Sequence, residues 1–237
     1  MIYSNYFYFY PMLKRNPRDR SEITNEIYAS GLVPLFYHAD LEMAKLLLRT
    51  CYDAGLKTLE FTNRAANAHS VFGPLNLYCK KELPGMRLGI GTVTDIGTAA
   101  LYLQSGADFI VMPSLQEEVI QLCNKRKVLC LPGCGTVTEI SKAESLGCEI
   151  VKLFPGNHYS PKFISDVLGP MPWTSILVSG GVEPTKENIQ SWIKAGATCL
   201  ALGSKLFTPE ILNGKNLTGL AEMISNSIQW VLEARKT

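Results

Sequence analysis

Residues 149–168 read EIVKLFPGNHYSPKFISDVL and contain one complete strand–helix unit. Residues 149–153 form a short run rich in β-branched and apolar side chains, which predicts a buried strand. Phe154, Pro155 and Gly156 then end the strand, and a helix is predicted near residues 160–168. A short strand followed by an amphipathic helix is the unit from which parallel α/β sheets are built.

The same unit recurs from Ile23 to the end of the chain. Strands are predicted at residues 32–37, 57–62, 88–91, 108–111, 128–131, 149–153, 175–178 and 199–202. An opening helix is predicted near 21–30, and helices follow the strands near 40–54, 66–83, 95–105, 115–124, 137–146, 160–168, 185–195 and 217–234. Eight strand–helix units are what a closed barrel needs. The predicted fold class is therefore α/β, a (β/α)8 TIM barrel forming a single domain with an extra N-terminal helix.

Helix boundaries carry their own signals. Asp40 is a predicted N-cap, and glycines stand directly before predicted strands in the pairs Ala54-Gly55, Ser105-Gly106 and Ala195-Gly196. Glycine at such a position supplies the left-handed conformation that turns a helix into the next strand. The recurrence favours a barrel over an open doubly wound sheet, which stays open as an alternative. No GxGxxG follows the first strand, so a dinucleotide-binding fold lacks its usual support.

The amino-acid composition indicates which classes of binding partner are unsupported. The 237 residues are 46% hydrophobic and carry 23 basic against 21 acidic side chains, a net charge of +2. This near balance predicts neither nucleic-acid nor membrane-surface binding, and no apolar run reaches the roughly 18 residues of a membrane span. The 7 cysteines are scattered and odd in number, which is typical of reduced thiols in a cytoplasmic protein. Cys130 and Cys134 have CxxxC spacing, for which a structural role is favoured over a metal site.

Residues 1–20 differ in composition from the rest, so the chain divides into an N-terminal arm, 1–20, and the predicted barrel domain, 21–237. The arm crowds aromatic residues before a basic segment and lacks the features of a secretory signal. Two interpretations stay open. Translation begins at Met12, or the arm packs on a neighbouring subunit.

Lys152 lies inside an apolar strand and shares one strand face with Ile150. If that face points inward, burial shifts the amine toward its neutral form, which can attack a ketone to form an imine. The alternative is a lysine that reaches the strand's end or pairs with a carboxylate. From this residue alone, the two interpretations are evenly balanced.

Glu60 lies near the carboxyl end of the second predicted strand, and Arg64 follows in the next loop. Active sites of barrels lie at the carboxyl ends of the strands. Glu60 either forms a structural ion pair with Arg64 or moves protons during imine chemistry. Both remain open.

Two glycine-containing segments follow the last two strands. Ser179, Gly180 and Gly181, together with Gly203 and Ser204, resemble a phosphate-binding cradle, since glycine lets backbone N–H groups approach an anion. Turns also need glycine, so either segment alone is weak evidence for a phosphate-binding site. The adjacent Lys205 could add charge but is expected to face solvent.

Taken together, five motifs resemble a known family. They are LEFTNR at 59–64, GIGTV at 89–93, LPG at 131–133 with TVTE at 136–139, VKLFP at 151–155 and SGGV at 179–182. In this order they are similar to the 2-keto-3-deoxy-6-phosphogluconate and 4-hydroxy-2-oxoglutarate aldolases, over about residues 24 to 235. The resemblance implies a class I aldolase, independent of metals and cofactors, in a (β/α)8 barrel that is usually a homotrimer.

The resemblance also implies roles for individual residues. Lys152 matches the Schiff-base lysine and Glu60 the general acid/base, while Arg64 holds the substrate carboxylate near Thr92. Positions that match the walls of the pyruvyl pocket and the phosphate-binding loops are Pro113, Phe154, Gly180, Gly181 and Ser204. The implied reaction is reversible cleavage of a 2-keto-4-hydroxy acid, carrying a 6-phosphate, to pyruvate and an aldehyde.

Three departures from the family pattern concern Asn63, Ser179 and the segment 203–205, and all are expected at the distal end of the substrate. They leave the galactonate-series aldolases open. Two other classes also remain as alternatives. One is a phosphate-binding barrel isomerase or epimerase that uses Glu60 as its base, and the other is a non-catalytic protein that binds sugar phosphates.

Overall fold

The computed structural model describes residues 19–236, so most of the predicted arm, 1–18, lies outside the described residues. Within them all strand pairs are parallel, and two sheets have the orders β1-β2-β3-β4-β5 and β6-β7-β8-β9. The strands are β1 Leu35–Phe36, β2 Thr58–Thr62, β3 Arg87–Gly91, β4 Phe109–Val111, β5 Leu129–Leu131, β6 Gly133–Cys134, β7 Val151–Leu153, β8 Ile176–Ser179 and β9 Cys199–Ala201. The predicted α/β class is confirmed.

Helices separate successive strands, except that β5 and β6 follow each other directly. The helices are α1 Arg20–Ser30, α2 Leu41–Asp53, α3 Ala68–Glu82, α4 Ile96–Gln104, α5 Glu117–Arg126, α6 Val137–Ser145, α7 Pro161–Leu168, α8 Lys186–Lys194, α9 Pro209–Leu212 and α10 Leu217–Ala234. A 3₁₀ turn spans Gly156–His158. Nine of these helices were predicted from the sequence, and α9 and the 3₁₀ turn were not, because four or fewer residues carry no helical periodicity.

The fifth predicted strand, 128–131, corresponds to β5, and the short strand β6 that follows it was not predicted. β5 ends the first sheet, Pro132 interrupts it, and β6 begins the second sheet beside β7. At the opposite edges, Leu32 forms a parallel bridge with Leu200, and the Val33 N–H donates to the Leu200 carbonyl at 2.9 Å. Backbone hydrogen bonds therefore join the segment before β1 to β9.

Local signals in the sequence have the expected geometry. The Asp40 carboxylate accepts a hydrogen bond from the Met43 N–H at 2.8 Å and so caps α2. Gly55, Gly106 and Gly196 have φ of +97°, +95° and +104°, the left-handed region that favours glycine. The predicted caps and helix-ending glycines are confirmed.

The core has two layers. An inner cluster lies on the same strand face as Lys152 and includes Ile150, Leu177 and Ala201. An outer cluster packs the opposite face, with Val151 and Leu153, against the helices. Burial on both faces is typical of parallel sheets covered by helices.

Helix α1 covers the amino ends of the strands. Its Ile23 and Ile27 are fully buried and belong to the inner cluster. The Tyr28 hydroxyl donates to Ser175 Oγ at 3.1 Å just before β8, and Arg87 at the start of β3 donates to Glu26 at 3.0 Å. With that end occupied, the carboxyl ends of the strands are left to form a cavity.

All 7 cysteines lie within the described residues, and all are buried free thiols. Burial raises the pKa of Cys79 and of Cys134 to about 12. Between residues 19 and 236, no helix combines the length and apolar character needed to cross a membrane.

Candidate active site

A cavity of about 280 Å³ opens at the carboxyl ends of the strands. Every residue predicted for the site lines it. They are Glu60, Arg64, Thr92, Pro113, Lys152, Phe154, Ser179, Gly180, Gly181, Gly203 and Ser204. These residues come from six strands and the loops after them, so the fold brings together side chains far apart in the sequence.

Lys152 occupies the middle of β7 and is only 5% exposed. Its N–H donates to the Pro132 carbonyl at 2.8 Å, which fixes the strand, and its Nζ lies 4.8 Å from the centroid of the Phe154 ring. Burial lowers the pKa of the amine from its ordinary value of 10.5. A lysine that reaches past the strand's end to solvent does not fit this burial, and the ion pairs of the described residues include none that joins Lys152 to a carboxylate.

Glu60 is the central residue of β2 and is 1% exposed. Its Oε2 is buried with no hydrogen-bond partner, and burial raises the pKa of the carboxyl above 4.5. Gly89 and Gly91 lie beside Glu60 and Thr62 on β3, and a Cβ on Gly91 would overlap the Glu60 carboxyl. The glycine at position 91 therefore provides the space that this carboxyl occupies.

Lys152 and Glu60 influence each other's charge. Burial is the main cause of both pKa shifts, and the electrostatic attraction between the two groups opposes it in each case. Both groups are thereby biased toward their neutral forms. The raised pKa of the carboxyl and the lowered pKa of the amine bring the two groups closer in proton affinity, which favours proton transfer between groups in the cavity.

Arg64 and Thr92 lie where the loops after β2 and β3 meet the cavity. Among the described ion pairs none joins Arg64 to Glu60, so the structural pairing considered from the sequence is not formed. Thr92 has φ of 60°, a left-handed conformation that is unfavourable for a β-branched residue. Such strain is typical of functional sites.

The glycine segment after β8 is tightly constrained. Gly180 and Gly181 have φ of +96° and +76°, and a Cβ on Gly181 would lie 2.6 Å from Asn157 Cβ. Ser179, the last residue of β8, is 3% exposed. Gly203 and Ser204 follow the neighbouring strand, β9. Two adjacent strands thus place bare backbone and two hydroxyl groups on one side of the cavity.

Comparison with known proteins agrees with this geometry. A family model described as KDPG and KHG aldolase matches residues 23–223. The chain belongs to this aldolase family. The aldolase is thus a lyase, and the resemblance drawn from its five motifs is confirmed.

Two curated relatives and one solved structure illustrate the match. The 2-dehydro-3-deoxy-6-phosphogalactonate aldolase of Escherichia coli is 31% identical over 157 residues, which cover 65% of this chain and 74% of the relative. The 2-dehydro-3-deoxy-phosphogluconate aldolase of Pseudoalteromonas atlantica is 26% identical over 164 residues, 68% of this chain and 74% of the relative. The structure of KDPG aldolase from Legionella pneumophila shares the fold, with a TM-score of 0.75 at 23% identity over 84% of this chain and 95% of that one.

The aldolase has further cavity residues that sequence reasoning missed. Thr62 lines the cavity, and its buried hydroxyl has no hydrogen-bond partner. Because side chains alternate along a strand, Thr62 shares a face with Glu60, and this spacing could have identified it. Tyr37, after β1, also lines the cavity, but nothing in its local sequence distinguishes it from a packing residue.

One expectation about the aldolase needs correction, and another needs an addition. Asn63 is not among the cavity-lining residues. Its side-chain oxygen instead accepts a hydrogen bond at 2.7 Å from the hydroxyl of Tyr102 on α4. Lys205 faces solvent as expected, with a side chain that is 60% exposed; it also lines the cavity, and its Nζ lies 3.4 Å from Glu183 Oε1.

Proposed function

We propose that this aldolase reversibly cleaves a 2-keto-3-deoxy-6-phospho sugar acid, or 4-hydroxy-2-oxoglutarate, to pyruvate and an aldehyde through a Schiff base on Lys152. The observation that carries the proposal is the buried Lys152 amine, with its lowered pKa, in one cavity with the buried, unpartnered Glu60 carboxyl. The Legionella pneumophila relative is described with pyruvate captured as a covalent carbinolamine intermediate.

The reaction begins when the neutral Lys152 amine attacks C2 of the keto acid. The carbinolamine loses water to give a protonated imine, which accepts electrons from the breaking bond. Glu60, directly or through water, removes the proton of the C4 hydroxyl, and the C3–C4 bond breaks to release the aldehyde. The remaining enamine is protonated at C3, and water hydrolyses the imine to pyruvate and free Lys152. One water is lost and one is consumed.

The other lining residues would bind the two ends of the substrate. Arg64, with Thr92 nearby, holds the carboxylate, and its charge balances negative charge that develops close by. Pro113 and Phe154 form walls around the pyruvyl portion. The phosphate would lie against Ser179, Gly180, Gly181, Gly203 and Ser204, where backbone can approach an anion closely.

We further infer that the two sheets close into one (β/α)8 barrel spanning a single domain, 21–237. Two observations support closure. Val33 and Leu35 donate backbone hydrogen bonds to Leu200 and Leu202, and a single residue, Pro132, separates β5 from β6. The family resemblance favours a homotrimer. Seven buried free thiols suit a reducing, cytoplasmic location.

Reductive trapping tests the chemistry. The protein would be treated with pyruvate and sodium borohydride, and its peptides analysed by mass spectrometry. We expect a reduced pyruvyl adduct on Lys152, and neither adduct nor cleavage in Lys152→Arg, because an arginine cannot form the imine. An isomerase or epimerase based on Glu60 would retain some activity in that variant. An unmodified Lys152 in the wild type would refute the proposal.

A galactonate-type substrate is the second candidate, because the Escherichia coli relative at 31% identity is named for the phosphogalactonate acid. Ser179 also departs from the threonine expected in the commonest family pattern. Steady-state cleavage of the 6-phosphogluconate and 6-phosphogalactonate forms of the keto acid, assayed side by side, distinguishes the two.

A further inference from the structure

Lys205 is a charged cavity residue to which the mechanism assigns no task. Of the described residues that line the cavity, the basic ones are Arg64, Lys152 and Lys205, and the only acidic one is Glu60. Lys205 follows Ser204 after β9, whereas Glu60 and Arg64 belong to β2 and its loop. It therefore lies on the side of the cavity formed by the glycine segments.

The ion pair that Lys205 forms is weak and accessible. Its Nζ is 3.4 Å from Glu183 Oε1, and the two side chains are 60% and 47% exposed. Exposed pairs of this kind contribute little, because water screens the charges and two long side chains must be held in place. Lys205 can consequently change partners at small cost.

Glu183 is held close to the proposed phosphate-binding segment. It comes two residues after Gly181, and its backbone N–H donates to Asn188 Oδ1 at 3.0 Å, which anchors the loop to α8. An unpaired carboxylate here would repel an incoming phosphate. The ion pair with Lys205 neutralises this carboxylate.

We propose that Lys205 exchanges Glu183 for the terminal phosphate of the substrate and thereby selects substrates that end in a dianionic group. This inference rests on the proposed function. It names Lys205 as the residue that gives the enzyme a preference for phosphorylated substrates. A phosphate carries more charge than a carboxylate and offers three acceptor oxygens, so it competes effectively for the amine. Binding then requires movement of one exposed side chain.

The test measures the condensation of pyruvate with glyceraldehyde 3-phosphate and, separately, with glyceraldehyde, which lacks the phosphate. For Lys205→Met we expect kcat/KM to fall about tenfold more with the phosphorylated aldehyde than with the other, mainly through KM, as for one lost charge-assisted hydrogen bond. Lys186→Met is the matched control, since Lys186 pairs with Glu233 at 2.9 Å outside the cavity lining. It should leave both rates unchanged.

A double-mutant cycle separates contact from simple neutralisation of Glu183. Glu183→Gln should lower KM for the phosphorylated aldehyde, because it frees Lys205 and removes a repulsive charge. If Lys205 contacts the phosphate, Lys205→Met keeps its selective effect in the Glu183→Gln background. The proposal is overturned if Lys205→Met has no selective effect in the Glu183→Gln background. It is also overturned if Lys205→Met lowers kcat/KM equally for both aldehydes.

Inhibition by inorganic phosphate provides a measurement that does not depend on turnover of the unphosphorylated aldehyde. Lys205→Met should weaken phosphate inhibition about tenfold, and added salt should weaken it in the wild type more than in the variant. Equal inhibition of the two proteins would contradict the proposal. Failure of the proposed function looks different, since the wild type would then form no pyruvyl adduct and condense neither aldehyde.

Discussion

At the scale of single residues, burial sets the chemistry of Lys152 and Glu60. Each is surrounded by the inner apolar layer and the cavity walls, and each has a pKa displaced toward the neutral form. Lowering the pKa of the Lys152 amine increases the fraction of the neutral form, which is the nucleophile, at any pH below its ordinary pKa. Lys152 and Glu60 could be singled out at this scale because charged residues are unusual inside buried apolar strands, whereas their roles and the positions of Thr92, Pro113 and Phe154 followed only from the motifs shared with the family. Thr62 and Tyr37 could not be distinguished from packing residues by type alone.

The pH dependence of adduct formation follows from the lowered pKa of Lys152. Protonation blocks attack, so the initial rate of pyruvate trapping should rise with pH and level off above a midpoint below 10.5. The Glu60 charge raises the pKa of Lys152, so Glu60→Gln should move this midpoint to lower pH. Trapping rates measured between roughly pH 5 and pH 10 would check that the rate rises with pH and that the midpoint is lower in Glu60→Gln. A midpoint that moves upward in the variant would contradict the coupling.

Gly91→Ala tests the space reserved for the Glu60 carboxyl. A Cβ at position 91 would overlap that carboxyl and displace it, and a displacement of about 1 Å can cost on the order of a hundredfold in rate. Cleavage kinetics should show the loss mainly in kcat. Gly73→Ala is the control, because nothing lies within 4 Å of its added Cβ and it lies in α3. Equal activity of the two variants would show that Glu60 tolerates the methyl group.

At the scale of elements, short-range signals predicted most helices and strands well. Asp40, Gly55 and Gly196 mark boundaries through their own hydrogen bonds or φ angles, so neighbours along the chain suffice to predict them. The change of sheet at Pro132 and the brief helix α9 depend on contacts with distant segments, which a local pattern does not contain. The role of Asn63 was missed for the same reason, since its partner is 39 residues away.

The hydrogen bond between Asn63 and Tyr102 ties the loop after β2 to α4. Tyr102 is 1% exposed, and burial raises the pKa of its hydroxyl to about 12. Asn63→Ala leaves this hydroxyl without its acceptor and should lower the free energy of unfolding by about 1–3 kcal/mol in urea titrations. Adding Tyr102→Phe should recover part of the loss. A loss that grows in the double variant would indicate that packing, not the hydrogen bond, dominates.

At the scale of the whole molecule, the two ends of the strands have different tasks. Helix α1 fills the amino end with Ile23 and Ile27, and the cavity occupies the carboxyl end. This polarity could be predicted from the strand–helix repeat, because parallel strands bring all their carboxyl ends to one side. The position of α1 could not, since its sequence shows only a helix and not which surface it covers.

Ile27→Ala measures how much the covered end contributes to stability. The side chain is fully buried in the inner cluster, so its truncation should lower the free energy of unfolding by about 2–5 kcal/mol while leaving kcat nearly unchanged in the folded fraction. Leu77→Ala is the control, because Leu77 is 73% exposed and should alter stability by no more than about 0.5 kcal/mol. Chemical denaturation of both variants makes the comparison. A mild effect at Ile27 would mean that α1 adds little to the fold.

The reactivity of the seven buried thiols can report local opening of the protein. Cys148 is 7% exposed and Cys134 1%, while the other five are fully shielded. An alkylating reagent should therefore tag the segment just before β7 first. The other thiols should react only when the helices and strands that cover them open locally. The order in which they are alkylated would therefore show which parts of the molecule open first.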